Sequence, residues 1–78
     1  MLFEIKITRS YVVFEEARAR VEAASAEEVV EAFWNDMNSV PWQTTDEKPC
    51  QDTEVVCRPA QEVVADFRVV EGNLVAQK

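Results

Sequence analysis

Residues 21–37 read VEAASAEEVVEAFWNDM, and the fold turns on where that run divides. Upstream of Ser25 the pattern has a period of two. Ala17, Ala19, Val21 and Ala23 fall on one side of an extended run over residues 11–24, and Arg18, Arg20 and Glu22 fall on the other. From Ser25 onward the period becomes helical. Ser25-Ala26-Glu27-Glu28 is a capping box, with Ser at the N-cap and Glu three residues on, each side chain placed to satisfy a backbone N–H of the first turn. Glu27 and Glu28 also suit the positive end of the helix dipole. Ala26, Val29, Val30, Phe33 and Met37 then recur as one apolar stripe, with Glu27, Glu31 and Asn35 opposite it and Trp34 beside it. Pro41 requires the helix to have ended before it. Strand, cap and helix follow without a linker, and the small inner residues of the strand leave room for the helix to pack across them.

The rest of the chain reads outward from that unit. Phe3, Ile5 and Ile7 alternate with Glu4, Lys6 and Thr8 in a first strand, and Arg9-Ser10 reads as the turn into the second. Residues 38–53, NSVPWQTTDEKPCQDT, hold two prolines and neither period, and form a long loop after the helix. Glu54 to Arg58 is a short strand stopped by Pro59. Residues 62–70 alternate again, with Val63, Ala65, Phe67 and Val69 on the inner side. Glu71-Gly72-Asn73 is a tight turn in which Gly and Asn can take positive φ, and Leu74 to Gln77 pairs back as an edge strand. The expected fold is α+β, a single small domain over residues 1–78 in the order ββαβββ, with an antiparallel sheet and one helix on one face.

Seventy-eight residues are near the lower limit for a single core, and 47% apolar content with one glycine excludes a disordered composition. No apolar run approaches the roughly 20 residues that cross a bilayer, and MLFEIKITRS lacks the basic-then-apolar order of a signal peptide. A cytoplasmic protein with no membrane partner is the expectation. The net charge of −7 is unevenly spread. Residues 1–23 are balanced, whereas residues 24–58 set Glu27, Glu28, Glu31, Asp36, Asp46, Glu47, Asp52 and Glu54 against only Lys48 and Arg58. Direct nucleic-acid binding wants basic patches that displace counterions, so this field argues against it.

Catalytic inventory is thin. There is no histidine, Ser25 is explained as a cap, and Glu15-Glu16 on a strand point to opposite faces. The one glycine lies in the last turn, where it cannot cradle a phosphate. Cys50 and Cys57 fall short of the four ligands of a zinc site, and read as one loop thiol and one buried strand thiol. The expectation is a non-enzymatic protein without metal or cofactor.

Binding features remain. Trp34 and Trp42 bracket the start of the acidic loop. Trp42 reads either as a plug folded onto the core or, with Val40 on a loop held by prolines, as an aromatic interface anchor. The acids read either as solvated surface or as phosphate surrogates, since carboxylates four residues apart on a helix stand about 6 Å apart at Cβ. The candidate partner-binding set is Glu27, Glu28, Glu31, Trp42, Asp46, Glu47 and Asp52.

FEIKITRSYVVFEEARARVEAASAEEVVEAFWNDM, Phe3 to Met37, resembles the DpnD/PcfM-like small proteins of mobile elements, in which F-x-I-x-I-T leads through V-E-A to S-x-E-E and a helix. In size, acidity and absence of catalytic residues the chain also resembles anti-CRISPR proteins of phages. That resemblance implies a protein partner with a basic nucleic-acid-binding surface, such as a CRISPR effector complex, blocked against target DNA in the host cytoplasm. The other expectation is an antitoxin-like or accessory module that forms a homodimer or pairs with a cognate protein. It would do so through its C-terminal edge strand and the side carrying Val64 and Val70.

Overall fold

The computed structural model describes residues 1–10, 13–48, 52–61 and 64–77. Its elements are β1 (Leu2–Ser10), β2 (Phe14–Glu22), α1 (Ala26–Asn35), a 3-10 turn (Met37–Ser39), β3 (Gln43–Thr44), β4 (Thr53–Pro59), β5 (Phe67–Val70) and β6 (Asn73–Ala76). One helix packs on a six-stranded sheet ordered β4-β1-β2-β5-β6, with β3 on β2. The ββαβββ order stands, and the sixth strand is the two-residue β3 inside the long loop. The Cα radius of gyration, 12.0 Å, is close to that of a folded domain of this length.

The first hairpin is longer than its sequence pattern suggests. β1 runs through Arg9 and Ser10, which pair with Glu15 and Phe14, because Arg9 finds partners on the sheet rather than in a turn. Tyr11 and Val12 of the expected second strand lie outside the described residues. Ile5 stands opposite Ala19 and Ile7 opposite Ala17, so both isoleucines of β1 face an alanine of β2, while Phe3 faces Val21. That alternation gives the helix its seat.

The sheet is antiparallel except at one seam. Val21 and Glu22 of β2 run parallel to Phe67 and Arg68 of β5. Asp66 makes the seam: its N–H donates to the Arg20 carbonyl at 2.8 Å, and its carboxylate accepts from the Arg20 N–H at 2.9 Å. With both outward backbone groups of Arg20 taken, the ladder begins at Phe67. Of the alternation expected over 62–70, the described residues form strand at Phe67–Val70, with Phe67 buried and Val64 exposed. Glu62 and Val63 lie outside the described residues.

Helix α1 starts as its cap requires. Ser25 is extended (φ −152°, ψ 161°) and its Oγ accepts from the Glu28 N–H at 3.3 Å. Its fully buried residues are Val29, Ala32 and Phe33, with Ala26 and Met37 partly buried at the ends. Val30, expected in the stripe, is only half-buried, and Ala32 takes its place. The helix is rolled toward the β5–β6 hairpin by two bonds. The Asn35 side-chain amide donates to the Gly72 carbonyl at 2.9 Å, and the Asp36 carboxylate accepts from the Leu74 N–H at 2.9 Å. The roll turns Val30 outward, toward β4.

Two local features carry their own expected results. In the last hairpin it is Glu71 (φ 50°) and Gly72 (φ 79°) that take positive φ, not Asn73. A side chain with a Cβ is disfavoured there by roughly 1–2 kcal/mol, and Asn tolerates it best. Glu71→Asn should therefore stabilise the domain by about 0.5–1 kcal/mol in urea unfolding. Thr8 is the one buried polar residue among those described, and its hydroxyl has no hydrogen-bond partner there. Thr8→Val, which removes the hydroxyl and keeps the shape, should raise stability by about 1 kcal/mol.

Candidate functional site

The two faces of the sheet differ sharply in charge. The face turned away from the helix carries Lys6, Arg18, Arg20 and Arg58, interleaved with Glu4, Glu16, Glu22 and Glu54. Ion pairs cross it, Lys6 to Glu16 at 3.6 Å and Arg58 to Glu4 at 3.6 Å among them. The helix layer has no such balance. Glu27, Glu28 and Glu31 lie on α1, Asp36 closes it, and no basic residue occupies its last turn.

The candidate acids do not form one patch. Glu27 and Glu31 are exposed, four residues apart on one side of α1, and neither has an ion-pair partner among the described residues. Glu28, one residue on from Glu27, is half-buried beside the cap. Glu47 lies with its carboxylate 3.5 Å from Lys6 Nζ, on the opposite face of the sheet. Asp46 is exposed in the bend before it. Asp52 is exposed at the entry to β4, where its carbonyl accepts from the Ser10 N–H at 2.9 Å. The fold brings together the three helix acids and leaves the loop acids apart from them.

The two tryptophans divide as clearly. Trp42 is half-buried against the core, and its indole N–H donates to the Met37 carbonyl at 2.9 Å. Its ring meets Phe33 edge-on, with centroids 6.3 Å apart, and the Arg9 guanidinium covers it 3.6 Å from the centroid. Arg9 is held in turn by Glu15 at 3.2 Å. These contacts fold the loop down onto the helix end. Arg9→Gln, which removes both the stacked cation and the ion pair, should cost about 1–2 kcal/mol, read as an earlier urea midpoint by tryptophan fluorescence.

Trp34 is the aromatic residue left outside. It is 49% exposed, and its ring meets Phe33 edge-on with centroids 5.1 Å apart. It stands three residues from Glu31, four from Val30 and seven from Glu27, so all four share one side of the helix. That side was legible in the sequence at helical spacing, but the pairing of both tryptophans with the loop obscured it.

Beside this flank, Ala26, Val30 and Cys57 floor a solvent-open depression of about 410 Å³, with Glu27 and Glu31 at its rim. The Cys57 thiol lies 3.9 Å from the Ala26 carbonyl, and burial pushes its pKa up, which keeps it a neutral thiol rather than a nucleophile. Cys50 lies outside the described residues. Among the described residues no three Asp, Glu, Cys or His side chains stand close enough to hold a metal ion. No helix is long and apolar enough to cross a membrane. Compared with protein-family models, curated proteins and solved structures, the chain matches none.

Proposed function

We propose that this chain is a non-enzymatic inhibitory binding protein that occupies a basic nucleic-acid-binding surface of a partner complex, as an anti-CRISPR protein does on a CRISPR effector. The observation that supports it is the uncompensated charge of the helix flank. Among the described residues Glu27 and Glu31 are exposed without ion-pair partners beside a half-exposed Trp34, while acids on the sheet are interleaved with bases. An aromatic ring flanked by free carboxylates suits a basic groove: the charges steer the encounter and the ring supplies rigid contact area. In this reading the anchor is Trp34, since Trp42 is engaged in holding the loop down. Glu28 adds charge at the helix start, and Glu47 stands on the opposite face of the sheet beside Lys6.

The competing reading is a module that pairs with itself through the β5–β6 edge, and the exposure of Val64, Val70 and Val75 speaks for it. Capture by the tagged protein of purified CRISPR effector complexes, at low and at high salt, separates the two. Electrostatic occupation weakens steeply as the screening length falls from about 10 Å at 0.1 M to about 3 Å at 1 M salt, and an apolar edge pairing does not. Salt-sensitive capture is the expected result. Recovery of a salt-insensitive homodimer alone would replace the inhibitor reading with the self-pairing one.

A further inference from the structure

We propose that the outer edge of β4 receives an extended, lysine- or arginine-bearing segment of the partner protein as an added strand, seated against the depression beside α1. This rests on the reading of the acidic helix flank as the contact surface, and names the form in which the partner meets it.

The argument begins at the ends of the sheet. β4 and β6 end the main strand order, and the two-residue β3 lies off it against β2. β6 has four residues, whereas β4 has seven, Thr53–Pro59, and pairs with β1 along one side only. Its other side presents a row of backbone donors and acceptors with no described strand against it, which is the template for strand addition. The start of α1 lies close to β4, with the Cys57 thiol 3.9 Å from the Ala26 carbonyl.

Side-chain alternation then says what fits. Val55 and Cys57 of β4 face the helix side, since they pair with Ile7 and Ile5. In an added strand every second residue faces the same way. A small apolar residue abreast of Cys57 enters the depression between Ala26, Val30 and Cys57. Residues next in line on that face are about 7 Å away, where a lysine or arginine reaches the Glu27 or Glu31 carboxylate at the rim. Backbone pairing supplies affinity, the depression selects an apolar residue, and the carboxylates select the charge.

Charge also chooses the occupant. A second copy paired edge to edge would bring two such rims together, each carrying Glu27 and Glu31 on a chain of net charge −7. A basic segment of another protein meets attraction instead.

The probe is a short peptide in which every second residue is alternately valine and lysine, with threonine between them, so that one face carries both; an acidic counterpart has glutamate in place of lysine. A third version of the basic peptide carries N-methyl groups on the amides of one edge. Binding is followed by backbone amide NMR of the intact chain. Saturable shifts confined to Thr53–Pro59 and the first two turns of α1 are expected. The acidic peptide should bind at least about tenfold more weakly and the N-methylated one about thirtyfold, which a few lost inter-strand hydrogen bonds amount to.

Absence of saturable binding, or shifts centred on β6, would overturn the proposal. Equal binding of the N-methylated and parent peptides, both lost in a Glu27→Lys/Glu31→Lys variant, overturns strand addition and leaves the acidic flank as the contact. Binding by that variant as tight as by the native chain overturns both.

Discussion

Phe33→Ala should leave this domain largely unfolded at physiological temperature. Phe33 is fully buried, and its ring meets both tryptophans, Trp34 at 5.1 Å and Trp42 at 6.3 Å between ring centroids. Truncating a buried phenylalanine costs about 3–5 kcal/mol, the lost transfer energy plus the cavity left behind. A chain of this length has only roughly 4–12 kcal/mol in all, at about 0.05–0.15 kcal/mol per residue. The core has no reserve to collapse into the gap, because the strands under the helix present Ala17 and Ala19. Thermal unfolding followed by circular dichroism should show a fall of at least about 15 °C, given about 4–8 °C per kcal/mol in domains of this size. A fall under about 5 °C would mean that the loop and helix are held by something other than this ring.

The second large effect is on binding. Glu27→Lys combined with Glu31→Lys should weaken capture of the partner complex by about a hundredfold or more, since close charge pairs across interfaces couple by about 1.5–7 kcal/mol. Both side chains are exposed and have no ion-pair partner among the described residues, so the fold should tolerate the change. Glu27 sits in the first turn, and its reversal removes a favourable dipole contact of only about 0.3–1 kcal/mol. Reversal of Glu47 is the control. It lies on the opposite face beside Lys6, and Glu47→Lys should leave partner affinity within about twofold while removing an exposed ion pair of small worth. The comparison is made by isothermal titration on variants with matched unfolding midpoints. Equal loss from Glu47→Lys would show that net charge, not the helix flank, governs binding.

Much of the fold was legible because its signals are local. Alternation across residues 2–8, the switch of period at Ser25 and the turn at Gly72 each depend on neighbours in sequence, and the structure has a strand, a helix and a hairpin there. What escaped depends on partners far along the chain. The roll of α1 that buries Ala32 instead of Val30 is set by Asn35 and Asp36 reaching the β5–β6 hairpin. The parallel seam is set by Asp66 gripping the Arg20 backbone. No sequence period reports either.

The candidate site divides the same way. The helix acids could be placed on one element from their spacing alone, and α1 does hold Glu27, Glu28 and Glu31 together. The loop acids could not, since an irregular segment has no period from which to read a face. Grouping them by proximity in sequence joined residues that stand on opposite faces of the sheet. The roles of the tryptophans turned on Arg9, a residue more than thirty positions before Trp42, whose guanidinium covers the loop ring and leaves Trp34 as the exposed one.

The most direct test of the acidic flank as a mimic of nucleic acid is a competition. A purified CRISPR effector complex is loaded with a fluorescent target duplex, and the chain is titrated in at several ionic strengths while duplex release is read by anisotropy. The account predicts full displacement of the duplex, with an apparent affinity that falls steadily as salt rises. Binding of the chain alongside a fully retained duplex, or with an affinity indifferent to salt, would contradict it.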